Sequence, residues 1–301
     1  MYPLVKVVLS IDGDPDPVLT PDPDTLVFRK YHKMHSLVNE YCDGKAAMTI
    51  HSSPVFRQRF ISDEYMLFWQ EWVTSGKDLA LHIEDDLYRL PSSELLQPSI
   101  FDHPETIFGV IDTTLERLKA GKIDCKCFRG GSNGHAPALA NFLASRGVIA
   151  DLSCAPELYW QERGVNWLGA PASAYFALDH DLSAGGGDSQ KHLLMIPLGW
   201  DGNSPQDRRR PTVNFLANET SELAHLKRVW DAIVRRAMDL GQTQVVSFLC
   251  HTYSVENNQL NNQLKTILSY VHHHGGQFVS ITEAMDEARQ HYPGGQGEHL
   301  Q

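Results

Sequence analysis

Apolar and polar positions along this chain change rhythm at regular intervals. Short aliphatic or β-branched runs fall at about 5–11, 46–50, 78–82, 124–128, 148–152, 245–250 and 278–281, and each predicts a strand. Between them the spacing lengthens to the i, i+3, i+4 pattern of a helix face. It predicts helices over about 25–41, 104–120, 136–145, 222–240 and 261–274, with another carrying Tyr65, Phe68, Trp69, Trp72 and Val73 on one side. Glycines punctuate the rhythm at Gly44, Gly76, Gly121, Gly241 and Gly275. Strand, helix, glycine, strand is the order of parallel strands wrapped by helices, and six or more such units point to an α/β barrel. The stretch 155–220 breaks the pattern and reads as an irregular insertion. Residues 1–292 are expected to form one barrel domain, with 293–301 a disordered tail.

Composition narrows the partners. The chain has 301 residues, 42% apolar and 21% charged, with a formal net charge of −11. An acidic surface repels phosphate backbones, so nucleic acid is not an expected partner. Arg208, Arg209 and Arg210, beside Pro211, read as a solvated loop. No apolar run approaches the ~20 residues of a membrane span. The first strand starts by residue 4 or 5, leaving no room for a signal peptide, so a cytoplasmic location is expected. Five cysteines with no secretory signal predict free thiols in a reducing compartment, and Cys125 and Cys127 read as core residues. The sequon at Asn218 carries little weight in such a compartment. Oligomeric state is not legible.

Candidate chemistry gathers at predicted strand ends, where parallel-sheet folds place their sites. The first strand ends in Asp12-Gly13-Asp14, two carboxylates suited to hold a divalent cation or handle a proton, or to cap a turn. The third delivers His82 and, four residues on, Asp86, which share a face if the chain coils into a helical turn there. Imidazole plus carboxylate suits zinc or a similar ion; Glu84, Asp85 and Asp86 also read as an acidic helix start. The fourth runs into Arg129-Gly130-Gly131, where glycines allow close backbone approach and leave the guanidinium to meet a carboxylate. His51 and His251 stand at two further strand ends. In the irregular stretch Asp179, His180 and Asp201 are weaker candidates, and Trp160, Trp167, Tyr175, Phe176 and Trp200 read as sugar-stacking or core residues. His272, His273 and His274 read as a helix end.

These motifs, in this order, resemble the polysaccharide deacetylase superfamily (the NodB-homology domain, carbohydrate esterase family 4). Ser10-Ile11-Asp12-Gly13-Asp14-Pro15 is similar to its first motif and Leu81 to Asp86 to its second. Phe128-Arg129-Gly130-Gly131 is similar to the third and Phe248-Leu249-Cys250-His251 to the last. The resemblance implies a distorted (β/α)7 barrel and metal-dependent removal of an N-acyl group from a sugar. It implies Asp14, His82 and Asp86 as metal ligands, Asp12 as general base, Arg129 as its orienting partner and His251 as general acid. Zn2+ is the expected ion, with Co2+, Mn2+ and Ni2+ as alternatives. Two features depart from the family: Gly13 separates aspartates that are usually adjacent, and Asp86 stands where many members have His. The fourth motif has no assigned counterpart.

A ligated cation, a base and an acid match amide hydrolysis, because an amine leaves only when protonated. The substrate expected is a small or carrier-linked amino sugar bearing an acetyl group. Alternatives are a deformylase of a formamido sugar, a glycoside hydrolase, which needs two carboxylates flanking one bond, and a metal-free carbohydrate-binding pseudo-enzyme.

Overall fold

The computed structural model describes residues 5–13, 23–52, 57–84, 99–189 and 192–291. The strands are β1 (Val5–Asp12), β2 (Ala47–His51), β3 (Asp78–Ile83), β4 (Cys127–Gly130) and β5 (Ala150–Asp151). They continue with β6 (Tyr159–Trp160), β7 (Val165–Asn166), β8 (Tyr175–Leu178), β9 (Asp181–Gly185), β10 (Leu194–Met195), β11 (Gln244–His251) and β12 (Gly276–Phe278). The helices are α1 (Pro23–Tyr41), α2 (Arg57–Phe60), α3 (Asp63–Thr74), α4 (Glu105–Ala120), α5 (Pro137–Ser145), α6 (Leu223–Leu240), α7 (Asn258–His273) and α8 (Ile281–His291). The sequence pattern placed most of these within a few residues. It set the fourth strand and the last strand off register: β4 starts at Cys127 because it pairs with β3 from Ala80 onward, and β12 ends at Phe278, before α8 begins at Ile281.

β1, β2, β3, β4, β5 and β10 lie side by side in parallel, and β11 flanks β1 on its other edge. Just beyond β10, Leu198 pairs with Ser247 of β11, so the sheet curls into a ring of seven parallel strands among the described residues. This is the distorted (β/α)7 barrel that the motifs imply. The distortion has a source. β12 pairs with β1 over Val5–Val7, on the edge where β2 pairs only with Ser10 and Ile11. The β8–β9 hairpin enters in the same way beside β10, where Met195 pairs with Tyr175 before the chain reaches β11.

Strands covered on both faces need unbroken apolar runs, and β2 and β3 are buried at every position. On the outside, α3 buries Tyr65, Phe68, Trp69 and Trp72. At about 1.5–3 kcal/mol for each large apolar side chain, that face is enough to dock the helix. The two indole N–H groups donate to the Phe60 and Asp78 carbonyls, both at 2.8 Å, so neither is buried without an acceptor. All five cysteines are free and buried, and burial pushes the Cys125 thiol up to about 12. No helix among the described residues is long and apolar enough to cross a membrane.

Candidate active site

In-register neighbours on parallel strands share a face, and this rule builds the site. Asp12 ends β1 directly opposite His251, the last residue of β11. His82 of β3 lies opposite Arg129 of β4, and His51 of β2 opposite His82. Asp12 and Arg129 then meet across the barrel, so all five residues face its interior at the C-terminal ends of the strands.

The centre is the Asp12–Arg129 pair, 4% and 3% exposed. Arg129 Nε donates to Asp12 Oδ2 at 2.9 Å and stands 2.8 Å from Oδ1, while Nη1 donates to the Leu152 carbonyl at 2.7 Å. The guanidinium thus engages the carboxylate through Nε and uses its other arm to brace the barrel wall. His251 Nε2 lies 3.8 Å from Asp12 Oδ2. On its far side, Nδ1 lies 3.1 Å from Glu219 Oε2. Glu219 Oε1 also accepts from the His251 backbone N–H at 2.8 Å and from the Ser254 hydroxyl. Tyr253, 39% exposed, stacks on the His251 ring at 5.0 Å.

Glu219 is the residue of this cluster that the sequence did not single out; it appeared only inside a sequon. Its position follows from the backbone. The chain leaves the irregular stretch by pairing Ala217 with Leu249, which brings Glu219 beside the end of β11. A carboxylate two residues past a one-residue bridge has no periodic pattern around it, so only the register could have found it.

Gly13 explains one departure from the family pattern. Its N–H donates to Thr49 Oγ1 and its carbonyl accepts from the Tyr31 hydroxyl, both at 2.8 Å. A Cβ there would fall 2.5 Å from the Thr49 carbonyl oxygen and 2.5 Å from the Tyr31 oxygen, so a second aspartate does not fit directly after Asp12.

Of the expected metal ligands, Asp14 and Asp86 lie outside the described residues. His82 is fully buried, and its Nδ1 is 2.8 Å from the Arg129 carbonyl oxygen. A carbonyl only accepts, so Nδ1 carries the proton and Nε2 is left as the ring's electron-pair donor. That tautomer, fixed by a backbone oxygen, is the one a metal-ligating histidine needs. His82 Nε2 therefore fits as one donor to a cation at this point. No three His, Cys, Asp or Glu side chains among the described residues are grouped to hold one.

The weaker candidates are engaged locally. Asp179 pairs with His192 at 2.8 Å, and Asp201 accepts from Asn214 and from the Asn203 N–H. His180 is exposed. Trp167, Tyr175 and Phe176 are core residues, which removes them as stacking surfaces. A buried His135–Asp151 pair faces the other way: Asp151 is in register with Phe128, one residue from Arg129, and so points to the helix layer.

No family model matches the chain, and no curated protein matches it in sequence. Solved structures do match in fold. A protein assigned as a polysaccharide deacetylase from Mycobacterium smegmatis superposes with a TM-score of 0.59 at 11% identity, over 100% of this chain and 96% of its own. One assigned likewise from Pseudomonas aeruginosa PAO1 gives 0.58 at 10% identity, over 96% and 92%. The PuuE allantoinase gives 0.60 at 9% identity, again over 96% and 92%. Across its whole length, then, and at about a tenth of residues identical, this chain has the fold of the polysaccharide deacetylases.

Proposed function

We propose that the chain is a metal-dependent amidohydrolase that removes an N-acyl group, acetyl in the first instance, from an amino sugar or sugar conjugate. The observation that carries this reading is the line Arg129–Asp12–His251–Glu219 inside one barrel mouth. His82, Asp14 and Asp86 would hold the cation, with Zn2+ the expected ion and Co2+, Mn2+ and Ni2+ as alternatives. When bound it supplies Lewis acidity to the acyl carbonyl. Asp12, kept in one orientation by Arg129, accepts a proton from the attacking water. His251 donates a proton to the departing amine nitrogen, and Glu219 behind Nδ1 favours the imidazolium that this donation requires. Amide hydrolysis needs both transfers, since an unprotonated amine does not leave.

A glycosidase pair is disfavoured by the same geometry. Asp12 is occupied by a guanidinium and Glu219 sits behind an imidazole, so neither acid stands alone beside a glycosidic oxygen. The substrate expected is a small or carrier-linked amino sugar, and a formyl group in place of acetyl is the nearest variant.

The test is release of primary amine from N-acetylated and N-formylated amino sugars by the metal-loaded protein. Asp12→Asn should abolish release and leave metal content near that of the parent. If metal is lost with it, Asp12 is a ligand and Asp14 the base. If the parent protein takes up no divalent metal and releases no amine, the hydrolase reading fails and the binding-protein alternative stands.

A further inference from the structure

The geometry points to Glu84, two residues beyond His82, as a ligand of the cation. This inference rests on the metal-dependent reading above. Residues i and i+2 of an extended chain share a face, so Glu84 follows His82 into the barrel with no helical turn needed. Its Oε1 stands 3.6 Å from His82 Nε2, the ring atom that the Arg129 carbonyl leaves as an electron-pair donor. At 3.6 Å the two are too far apart to share a proton well. Two donors each about 2.0–2.2 Å from one tetrahedral ion stand roughly 3.3–3.6 Å apart. The separation is therefore the one that two donors to a single ion would show.

A second observation concerns the room made for this carboxylate. A Cβ on Gly131 would lie 2.2 Å from Glu84 Oε2, 2.4 Å from its Cδ and 2.7 Å from its Cα. Gly131, two residues past Arg129, is thus the cradle in which Glu84 rests. One turn then serves both halves of the site: Arg129 holds the carboxylate of Asp12, and Gly131 admits the carboxylate of Glu84. An anionic oxygen beside an imidazole nitrogen is a donor set for Zn2+ or Co2+.

The experiment uses the full chain, stripped with chelator and reloaded, with Zn2+ affinity measured by equilibrium dialysis and Co2+ coordination by visible absorption. Glu84→Gln should weaken Zn2+ binding at least tenfold and alter the Co2+ bands. Gly131→Ala, which removes no donor atom, should do the same by displacing the carboxylate, and it carries the test if Glu84→Gln does not fold. Wild-type affinity and an unchanged Co2+ spectrum in both variants overturn the assignment of Glu84 and leave the hydrolase reading intact. A wild-type protein that binds neither ion overturns the metal-dependent reading, and this one with it.

Discussion

Replacing Arg129 by Met tests the centre of the site most directly, because it removes the cation while keeping a side chain of similar length. Two unit charges 2.8 Å apart attract by about 6 kcal/mol at an effective dielectric of ~20, and by only about 1.5 kcal/mol in bulk water. With both side chains almost wholly buried, the coupling belongs in the upper part of that range. Breaking a buried pair by deleting one partner generally costs about 3–5 kcal/mol, because the other charge is left in a poor solvent. Arg129→Met should therefore lose about that much stability, including its bond to the Leu152 carbonyl. In the double variant with Asp12→Asn no charge is stranded, and at least about 2 kcal/mol should return. Urea denaturation of the parent, both single variants and the double variant closes the cycle. Single-variant costs that add to within about 0.5 kcal/mol would show that the two groups do not interact, and the argument that Arg129 fixes Asp12 would be wrong.

Glu219→Gln keeps an oxygen for the His251 N–H and the Ser254 hydroxyl but removes the charge behind the imidazole; kcat should fall by about 10–100-fold with KM little changed, as steady-state kinetics would report. Gly13→Ala drives a methyl group into the Thr49 carbonyl and should cost about 1–3 kcal/mol, seen as a lower Tm in calorimetry; an unchanged Tm would mean that the end of β1 is slack. The last helix should respond to acid. Burial pushes the Glu287 carboxyl up, but Lys6 at 2.7 Å and His291 at 3.3 Å pull it further down, to a net position below its ordinary 4.5. Its contribution is then fully present above the unfolded value and is lost as pH falls through the folded one. Lys6→Met should flatten the decline in stability as pH falls below 4.5 in urea titrations; an unaltered decline refutes the role of this pair.

Much of the barrel was legible because its elements are long or strongly patterned. The runs at 78–83 and 244–251 are mostly apolar and almost wholly buried, and the aromatic face of α3 repeats at helical spacing. Asp12, His82, Arg129 and His251 were legible because each is a chemically distinct residue at the end of such a run. What stayed hidden lies where the backbone joins the sheet for only one or two residues. β5 and β10 are two residues long, and the Leu198 and Ala217 bridges are single pairs. No periodicity survives over such lengths, so ring closure and the place of Glu219 depend on register, a property of two segments together. Glu84 was hidden differently: it read as part of an acidic helix start, and only the close approach of Gly131 shows where its carboxylate goes.

The seam between β1 and β11 has a consequence for folding. Strands separated by more than two hundred residues of chain pair along eight consecutive positions, from Val5 with Gln244 to Asp12 with His251. The acceptor and the donor of the proposed proton transfers sit on opposite lips of that join, at its last rung. Loop-closure entropy opposes such a long-range pairing, and it must be overcome before the two side chains can meet. Under the proposed reaction, turnover would read out whether the cylinder has zipped to its end, and refolding that restores helix content without restoring rate would mark chains still open along that line.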